Sequence, residues 1–254
     1  MEKTMEETSQ TSQVQTAQVK QAKRIQTSLL NGVERKALVW MAERMPRWVT
    51  SDMLSFVGFL GALIIAAGYM LSDININFLW LSSFGFVVHW FGDSMDGSLA
   101  RVRHTQRPLY GYYLDHTLDV ITEFIMFMGA GLSALLRLDI ALLAFIAYLM
   151  LTLNVSINSH LKGEFRLTYA KLGPTEFRLL MIIVNTLLIY IRPLREFSTT
   201  WTIGSYSLRM GGLDIIGLSI FALLLIIYLV TVWGDLRDYA RRDPLPEYKP
   251  EQKK

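Results

Sequence analysis

Six apolar runs, each close to the length of a membrane-crossing helix, are the strongest constraint on the fold of this 254-residue chain. A helix needs about 20 apolar residues to cross the ~30 Å hydrocarbon core of a bilayer. Hydrophobic residues make up 52% of the chain, and its mean hydropathy is +0.30. We therefore predict an all-α polytopic membrane protein whose six transmembrane helices fall at residues 53–71, 78–98, 110–135, 140–160, 177–191 and 213–233.

The segments outside these runs are polar. Residues 1–28 are rich in Gln, Thr, Glu and Lys, a composition that predicts a disordered tail. Residues 241–254 are also polar, and we predict a second disordered tail there. Residues 29–46 predict an amphipathic helix in the membrane interface, although a soluble helix packed on a cytosolic loop would show the same pattern. Residues 47–240 then form the six-span domain. The apolar positions that recur at helical spacing in the N-terminal helix are Val33, Ala37, Trp40, Met41 and Met45.

The distribution of positive charge predicts the orientation in the membrane. If the N-terminus is inside, the inner segments hold 21 of the 25 lysines and arginines, and the outer segments hold four. The positive-inside rule therefore places both termini in the cytosol of a cell (inner) membrane protein. The chain has no cysteine, which excludes disulfides and thiolate metal sites.

Four aspartates lie next to these apolar runs, near the predicted cytosolic face. Asp93 and Asp96 are three residues apart, and Asp115 and Asp119 are four apart, so each pair shares a helix face. Charged groups at this depth are costly and usually functional. Convergent carboxylates repel one another unless cations lie between them, and oxygen ligands favour Mg²⁺, Mn²⁺ or Ca²⁺. A structural ion-pair network with Arg101 and Arg103 is the alternative.

This stretch resembles the signature of the CDP-alcohol phosphotransferase family. The signature reads Asp-x2-Asp-Gly-x2-Ala-Arg and then, after seven or eight residues, Gly-x3-Asp-x3-Asp. Here the spacer has nine residues, 102–110, and every fixed position is present. The looser resemblance covers roughly residues 46–235. The eight matching residues are Asp93, Asp96, Gly97, Ala100, Arg101, Gly111, Asp115 and Asp119.

The resemblance implies a metal-dependent transferase of phospholipid biosynthesis. In the family, all four aspartates hold two divalent cations, Mg²⁺ or Mn²⁺, and the last also acts as the base. By that resemblance Asp93, Asp96, Asp115 and Asp119 are metal ligands, and Asp119 is catalytic. The small size resembles prokaryotic members that transfer a phosphatidyl group from CDP-diacylglycerol to a small polar alcohol, release CMP and form homodimers. A CDP-amino-alcohol:diacylglycerol enzyme is an alternative, and a divalent-cation transporter is a rival from another class.

Further motif residues predict contacts to the nucleotide donor. Gly97 would let the nucleotide approach the helix backbone, and Arg101 offers a planar fork of donors to the diphosphate. Gly111 suits either substrate approach or helix packing. Thr50 and Asp52 resemble the family's nucleotide-contacting entry to the first span, although both also suit helix capping. The motif further includes Ala100, and no pattern points to nucleic acid.

The acceptor alcohol is not identified by the motif. Lys162, Arg166 and Arg178 lie in the predicted cytosolic segment between the fourth and fifth spans, and they would suit an anionic acceptor. Attraction to lipid headgroups explains the same charges equally well. Glu123 lies one turn after Asp119 and is a further candidate for this site, because an ionisable residue within a span is usually functional.

Overall fold

The computed structural model describes residues 23–25, 31–162, 164–166 and 174–245. Helices dominate, which confirms the predicted helical class. A one-turn 3₁₀ helix, Ile76–Phe78, precedes the third helix. The helices are α1 Asn31–Arg44, α2 Ser51–Leu71, α3 Leu79–Val102, α4 Pro108–Gly131, α5 Leu138–Lys162, α6 Pro174–Tyr190, α7 Arg192–Glu196 and α8 Gly212–Arg242.

A long helix lies at each of the six apolar runs. Within the described ranges, three of them combine the length and the apolar character of a membrane span, namely Ser51–Leu71, Leu138–Leu161 and Gly212–Arg242. Helices α3 and α4 carry the aspartates, which lower their hydropathy, and α6 has only 17 residues. The structure thus supports a membrane protein, and the number of spans stays a prediction.

Helices α2 and α3 pack closely because glycines line their contact. A Cβ atom at Gly61 would come within 2.8 Å of the His89 Cβ and nearer still to the His89 backbone. A Cβ at Gly92 would collide with the backbone of Gly58 on the facing helix. Such close approach of helix backbones through small residues is typical of membrane proteins. It brings Ser55 on α2 within hydrogen-bonding distance of Asp96 on α3.

The connection between α3 and α4 is shorter than the predicted turn of residues 102–110. Helix α3 ends at Val102, and α4 starts with Pro108 in its first turn. Proline suits this position because its missing N–H has no helical acceptor there. His104 adopts φ 55° within the turn. The two helices are therefore joined by five residues, and both pack against α2.

Helix α1 packs along the C-terminal half of α3. Leu38 and Ala42 are buried in one apolar cluster with Met95 and Leu99 of α3. Just after the C-terminal end of α1, the guanidinium of Arg103 donates to three backbone carbonyls, those of Met45, Pro46 and Val49. The helix predicted for residues 29–46 is thus present from Asn31 to Arg44. Its location in the membrane interface stays a prediction, because this face is buried against protein.

The segment between α7 and α8 forms a β-hairpin, where the sequence analysis identified no strand. Strand β3, Ser198–Ile203, pairs antiparallel with β4, Tyr206–Gly211, from Ser198↔Gly211 to Ile203↔Tyr206. Gly204 adopts φ 60° in the turn between them. Two three-residue strands, β1 Lys23–Ile25 and β2 Glu164–Arg166, pair in parallel elsewhere.

Helix α8 is attached to α5 by polar groups near its ends. Near the N-terminal end of α8, the buried Asp214 carboxylate accepts from the backbone N–H groups of Gly211 and Arg137. Nearer the C-terminal end of α8, Asp235 accepts from the side-chain amides of Asn154 and Asn158. Helix α8 continues to Arg242, which corrects the boundary of the tail predicted from residue 241. The rest of that tail, residues 246–254, and most of the N-terminal tail lie outside the described residues.

Candidate functional site

Three of the four predicted aspartates converge between α3 and α4. One carboxylate oxygen from each of Asp93, Asp115 and Asp119 lies within 4.8 Å of the others. Asp115 and Asp119 are one helical turn apart and face α3, where Asp93 lies on the apposed surface. Both helices pack against α2 and are joined by a five-residue turn, so the two halves of the motif lie together.

The fourth aspartate, Asp96, lines the same cleft but makes different contacts. Its Oδ2 accepts a hydrogen bond from the Ser55 hydroxyl at 2.6 Å, and its Oδ1 accepts from the Gly97 N–H. The cleft has a volume of about 20 Å³ and is also lined by His89 and Thr122. The structure therefore brings three aspartates into one cluster and leaves Asp96 beside it, held toward α2.

Arg178 reaches this cluster from α6. Its Nη2 lies 2.5 Å from the Asp93 Oδ2 and 3.4 Å from the His89 Nε2. The sequence analysis placed Arg178 in a cytosolic connection, whereas the structure places it in the second turn of a helix. The side chains of the other two basic candidates, Lys162 and Arg166, lie outside the described part of the structure.

Glu123 extends the acidic side of α4 one turn beyond Asp119. It is hydrogen-bonded to the hydroxyl of Tyr148 on α5. Its second oxygen, Oε2, is buried and makes no hydrogen bond within the described part of the chain. The sequence analysis missed Tyr148, since a tyrosine within an apolar run gives no signal of its own. A buried carboxylate oxygen without a donor indicates that this position serves something other than packing.

The glycines of the motif differ in their surroundings. A Cβ at Gly97 would lie 3.3 Å from the guanidinium of Arg101, whose Nη2 donates to the Ser98 hydroxyl at 3.1 Å. A Cβ at Gly111 would meet no described atom within 4 Å. The helix-packing interpretation of Gly111 therefore finds no support among the described residues. Ala100 is half-buried one residue before Arg101.

The predicted nucleotide-contacting residues at the start of α2 have structural partners. The Thr50 hydroxyl caps α2 by accepting from the Met53 N–H at 3.2 Å. Asp52 accepts from the Tyr110 hydroxyl at 3.3 Å. The capping interpretation is confirmed for Thr50, and nucleotide contact at both residues stays a prediction.

The donor set fits a divalent cation. Carboxylates whose oxygens approach within 4.8 Å repel one another, and the guanidinium of Arg178 is bonded to Asp93. Hard carboxylate oxygens are the ligands that Mg²⁺ and Mn²⁺ prefer. Asp93, Asp115 and Asp119 would hold one ion, and Asp96 lies close enough in the cleft to take part in holding a second.

Apolar helices around a cluster of carboxylates define this chain as a membrane protein with a candidate site for hard cations. Residues 48–233 match the CDP-alcohol phosphatidyltransferase family, so the chain belongs to that family. It is also 30% identical over 131 residues to the archaetidylinositol phosphate synthase of Methanothermobacter thermautotrophicus. That alignment covers 50% of this chain and 63% of the relative. Helix α1 lies outside the family match.

Proposed function

We propose that this protein transfers a phosphatidyl group from CDP-diacylglycerol to a small alcohol and releases CMP, in phospholipid biosynthesis. The observation that carries the proposal is the cluster of Asp93, Asp115 and Asp119. All three are fixed positions of the motif that the chain shares with its family. The proposal names a lipid donor because the cluster lies among apolar helices, where a lipid-linked substrate could reach it.

The four motif aspartates would hold two divalent cations, Mg²⁺ or Mn²⁺. Bound there, the cations would neutralise the diphosphate and polarise the P–O bond that breaks. Arg101 suits the diphosphate as a fork of donors on the exposed side of the motif. Gly97, Ala100 and Gly111 would leave room for the nucleotide, and Thr50 and Asp52 would contact it at the entrance.

The proton of the acceptor alcohol needs a base in the cleft. We assign this role to Asp119, the last aspartate of the motif. The alcohol oxygen forms a bond to the phosphorus of the phosphatidyl group, and its proton passes to the Asp119 carboxylate. The bond from that phosphorus to the bridging oxygen breaks, and CMP leaves with that oxygen. Positioning and one proton acceptor are therefore what the protein itself contributes.

For the acceptor, we propose an alcohol that carries a phosphate, of the inositol phosphate type. Arg178 supports this proposal, because its guanidinium lies at the acidic cluster and can pair with a phosphate. Lys162 and Arg166 are further candidates, and Glu123 would accept a hydrogen bond from an acceptor hydroxyl. The name of the relative, archaetidylinositol phosphate synthase, is consistent with this acceptor class.

The proposal includes the arrangement in the membrane. We propose six spans, both termini in the cytosol of a cell membrane, α1 at the interface and a homodimer. The excess of lysine and arginine in the inner segments supports the orientation.

Release of CMP by the purified protein tests the function. CDP-diacylglycerol with inositol phosphate, in detergent with Mg²⁺ or Mn²⁺, should yield CMP and a phosphorylated inositol lipid. EDTA should stop the release, and added Mn²⁺ should restore it. Release that continues at the same rate in EDTA would contradict the metal assignment, and no release with any alcohol would contradict the proposed function.

A further inference from the structure

Glu34 of α1 accepts hydrogen bonds from two other helices. One of its oxygens, Oε1, lies 2.7 Å from the Trp90 Nε1 of α3 and 2.8 Å from the Thr175 Oγ1 of α6. The Ser94 Oγ of α3 lies 3.5 Å from the same oxygen. Indole and hydroxyl groups that donate to a carboxylate form stronger hydrogen bonds than neutral pairs do. Glu34 therefore joins three helices through one atom.

Two of the residues that donate to Glu34 lie one helical turn from the ion pair between Arg178 and Asp93. Trp90 comes one helical turn before Asp93, and Thr175 comes one turn before Arg178. Arg178 and Asp93 lie 2.5 Å apart. A displacement of α6 relative to α3 at this level would separate the guanidinium from the carboxylate. The Glu34 contacts oppose that displacement.

Helix α1 is itself fixed, so Glu34 can act as an anchor. Leu38 and Ala42 are buried against α3, and Arg103 holds the carbonyls that follow the helix. The Thr175–Glu34 hydrogen bond ties the first turn of α6 to α1.

We propose that Glu34 is a positioning residue of the site, which holds Arg178 against Asp93 through Thr175 and Trp90. The residue lies outside the part of the chain that matches the family, residues 48–233, so family membership does not predict this role. Tests of this role by activity rest on the proposed function. The position of the Arg178 side chain has a separate readout that does not depend on activity.

That readout is the ¹⁵N–¹H signal of the Arg178 Nε group in labelled protein, identified by its loss in Arg178→Lys. Glu34 does not touch Arg178, so a purely local contact would leave this signal unchanged. We expect Glu34→Ala and Thr175→Val to shift it. Thr175→Ser keeps the hydroxyl, and Glu43→Ala changes an exposed acid on the same helix, so neither should shift it.

Activity gives the second measurement. We expect Glu34→Ala and Thr175→Val to lower kcat/KM about tenfold, because a charged hydrogen bond that positions a substrate-binding group is lost. Glu34→Gln keeps an acceptor oxygen and should remain within about threefold of wild type, as should Thr175→Ser and Glu43→Ala. In an Arg178→Lys background, the further change Glu34→Ala should have less than about a twofold effect, since coupled residues are not additive.

Two results would overturn the proposal. One is an Arg178 signal that is unchanged in both Glu34→Ala and Thr175→Val. The other is a Glu34→Ala effect on activity that is as large in the Arg178→Lys background as in the wild type, which would indicate a general loss of stability. If the wild type releases no CMP, the proposed function fails, and the signal of Arg178 still decides the role of Glu34. If Glu34→Ala does not fold, Thr175→Val on a different helix gives the same test.

Discussion

Asp93 contacts groups of both charge signs. Arg178 donates to it at 2.5 Å, and oxygens of Asp115 and Asp119 lie within 4.8 Å of its own carboxylate. The guanidinium offsets part of the repulsion among the three acids in this arrangement. We expect Arg178 to exchange the carboxylate for a phosphate when an anionic substrate enters, because a guanidinium pairs with either group in the same fork geometry.

Asp119→Asn tests the assignment of the base. The amide keeps the size of the side chain and removes its ability to take a proton. We expect CMP release to fall by about a hundredfold or more, while binding of the CDP donor persists. CMP release and donor affinity in detergent measure this. A variant that keeps more than about a tenth of the wild-type rate would show that another group is the base.

Arg178→Gln tests the acceptor class. Loss of a charged hydrogen bond to the acceptor phosphate should raise the acceptor KM by roughly tenfold, with the KM for CDP-diacylglycerol unchanged. Steady-state kinetics with each substrate varied in turn measure both values. Arg241→Gln, an exposed arginine in the last turn of α8, is the matched control. A wild-type enzyme that prefers uncharged inositol would contradict the assignment.

At the scale of residues, the sequence predicted that the four motif aspartates converge, and three of them lie in one cluster while their roles stay predictions. The spacing of Asp115 and Asp119 determines their common face, and the short turn determines which face Asp93 meets. The position of Arg178 was not predictable, because its segment reads equally well as a loop or as the start of a helix. Glu34 was missed for a related reason, since a glutamate in an amphipathic helix gives no sign of which helices will donate to it.

At the scale of elements, the contact between α2 and α3 carries the site. Glycines at the crossing let the two backbones approach until His89, buried at 4% exposure, reaches the carbonyl of Gly58 at 3.0 Å. His89 also faces Arg178, so the crossing connects α2 with the group that pairs with Asp93. The contact between α2 and α3 is therefore part of the architecture of the site.

Gly61→Ala tests the contact between α2 and α3. The added methyl group would overlap the backbone of His89, and the helices must separate to accommodate it. Overpacking of this kind costs about 1–3 kcal/mol, so the temperature of thermal unfolding in detergent should fall. Gly234→Ala on α8 is the control, because its Cβ would meet no described atom within 4 Å. If both variants unfold at the same temperature as the wild type, the contact between α2 and α3 does not limit the thermal stability of the protein.

The sequence predicted these elements unevenly. Long apolar runs gave the positions of the long helices, because a run of 20 apolar residues has few other uses. The hairpin of residues 198–211 was not predicted, although Thr199, Trp201 and Ile203 occupy every second position in the strand before the turn at Gly204. Such a short alternation is weak evidence when taken alone, and the antiparallel pairing that supports it depends on contacts within the folded chain.

At the scale of the whole molecule, the orientation in the membrane stays a prediction. The turn between α3 and α4 carries Arg103 and Arg107 at the end where the aspartates lie. The hairpin β3–β4 lies at the other end of the long helices, next to the start of α8. Lysines and arginines concentrate in the segments predicted to be inside, so the acidic site would open toward the cytosol.

Single cysteines test this orientation, because the chain has none of its own. Thr105→Cys lies in the exposed turn before α4, and Ser205→Cys lies in the exposed hairpin turn. A maleimide that cannot cross membranes should label Ser205→Cys on intact cells and label Thr105→Cys only after the cells are opened. Labelling of Thr105→Cys on intact cells would reverse the orientation.

One buried oxygen of Glu123 has no hydrogen-bond donor in the part of the chain that the structure describes, which predicts a trade between stability and activity. A carboxylate in this position lowers the stability of the folded protein, and such a cost persists where function needs the group. Glu123→Gln keeps an oxygen for Tyr148 and removes the ionisable carboxyl group. We expect its unfolding temperature to rise by about 2–4 °C for each kcal/mol gained, and CMP release to fall. Thermal unfolding and turnover of the same preparation measure the two effects, and a variant that loses both stability and turnover would show that the carboxylate is structural.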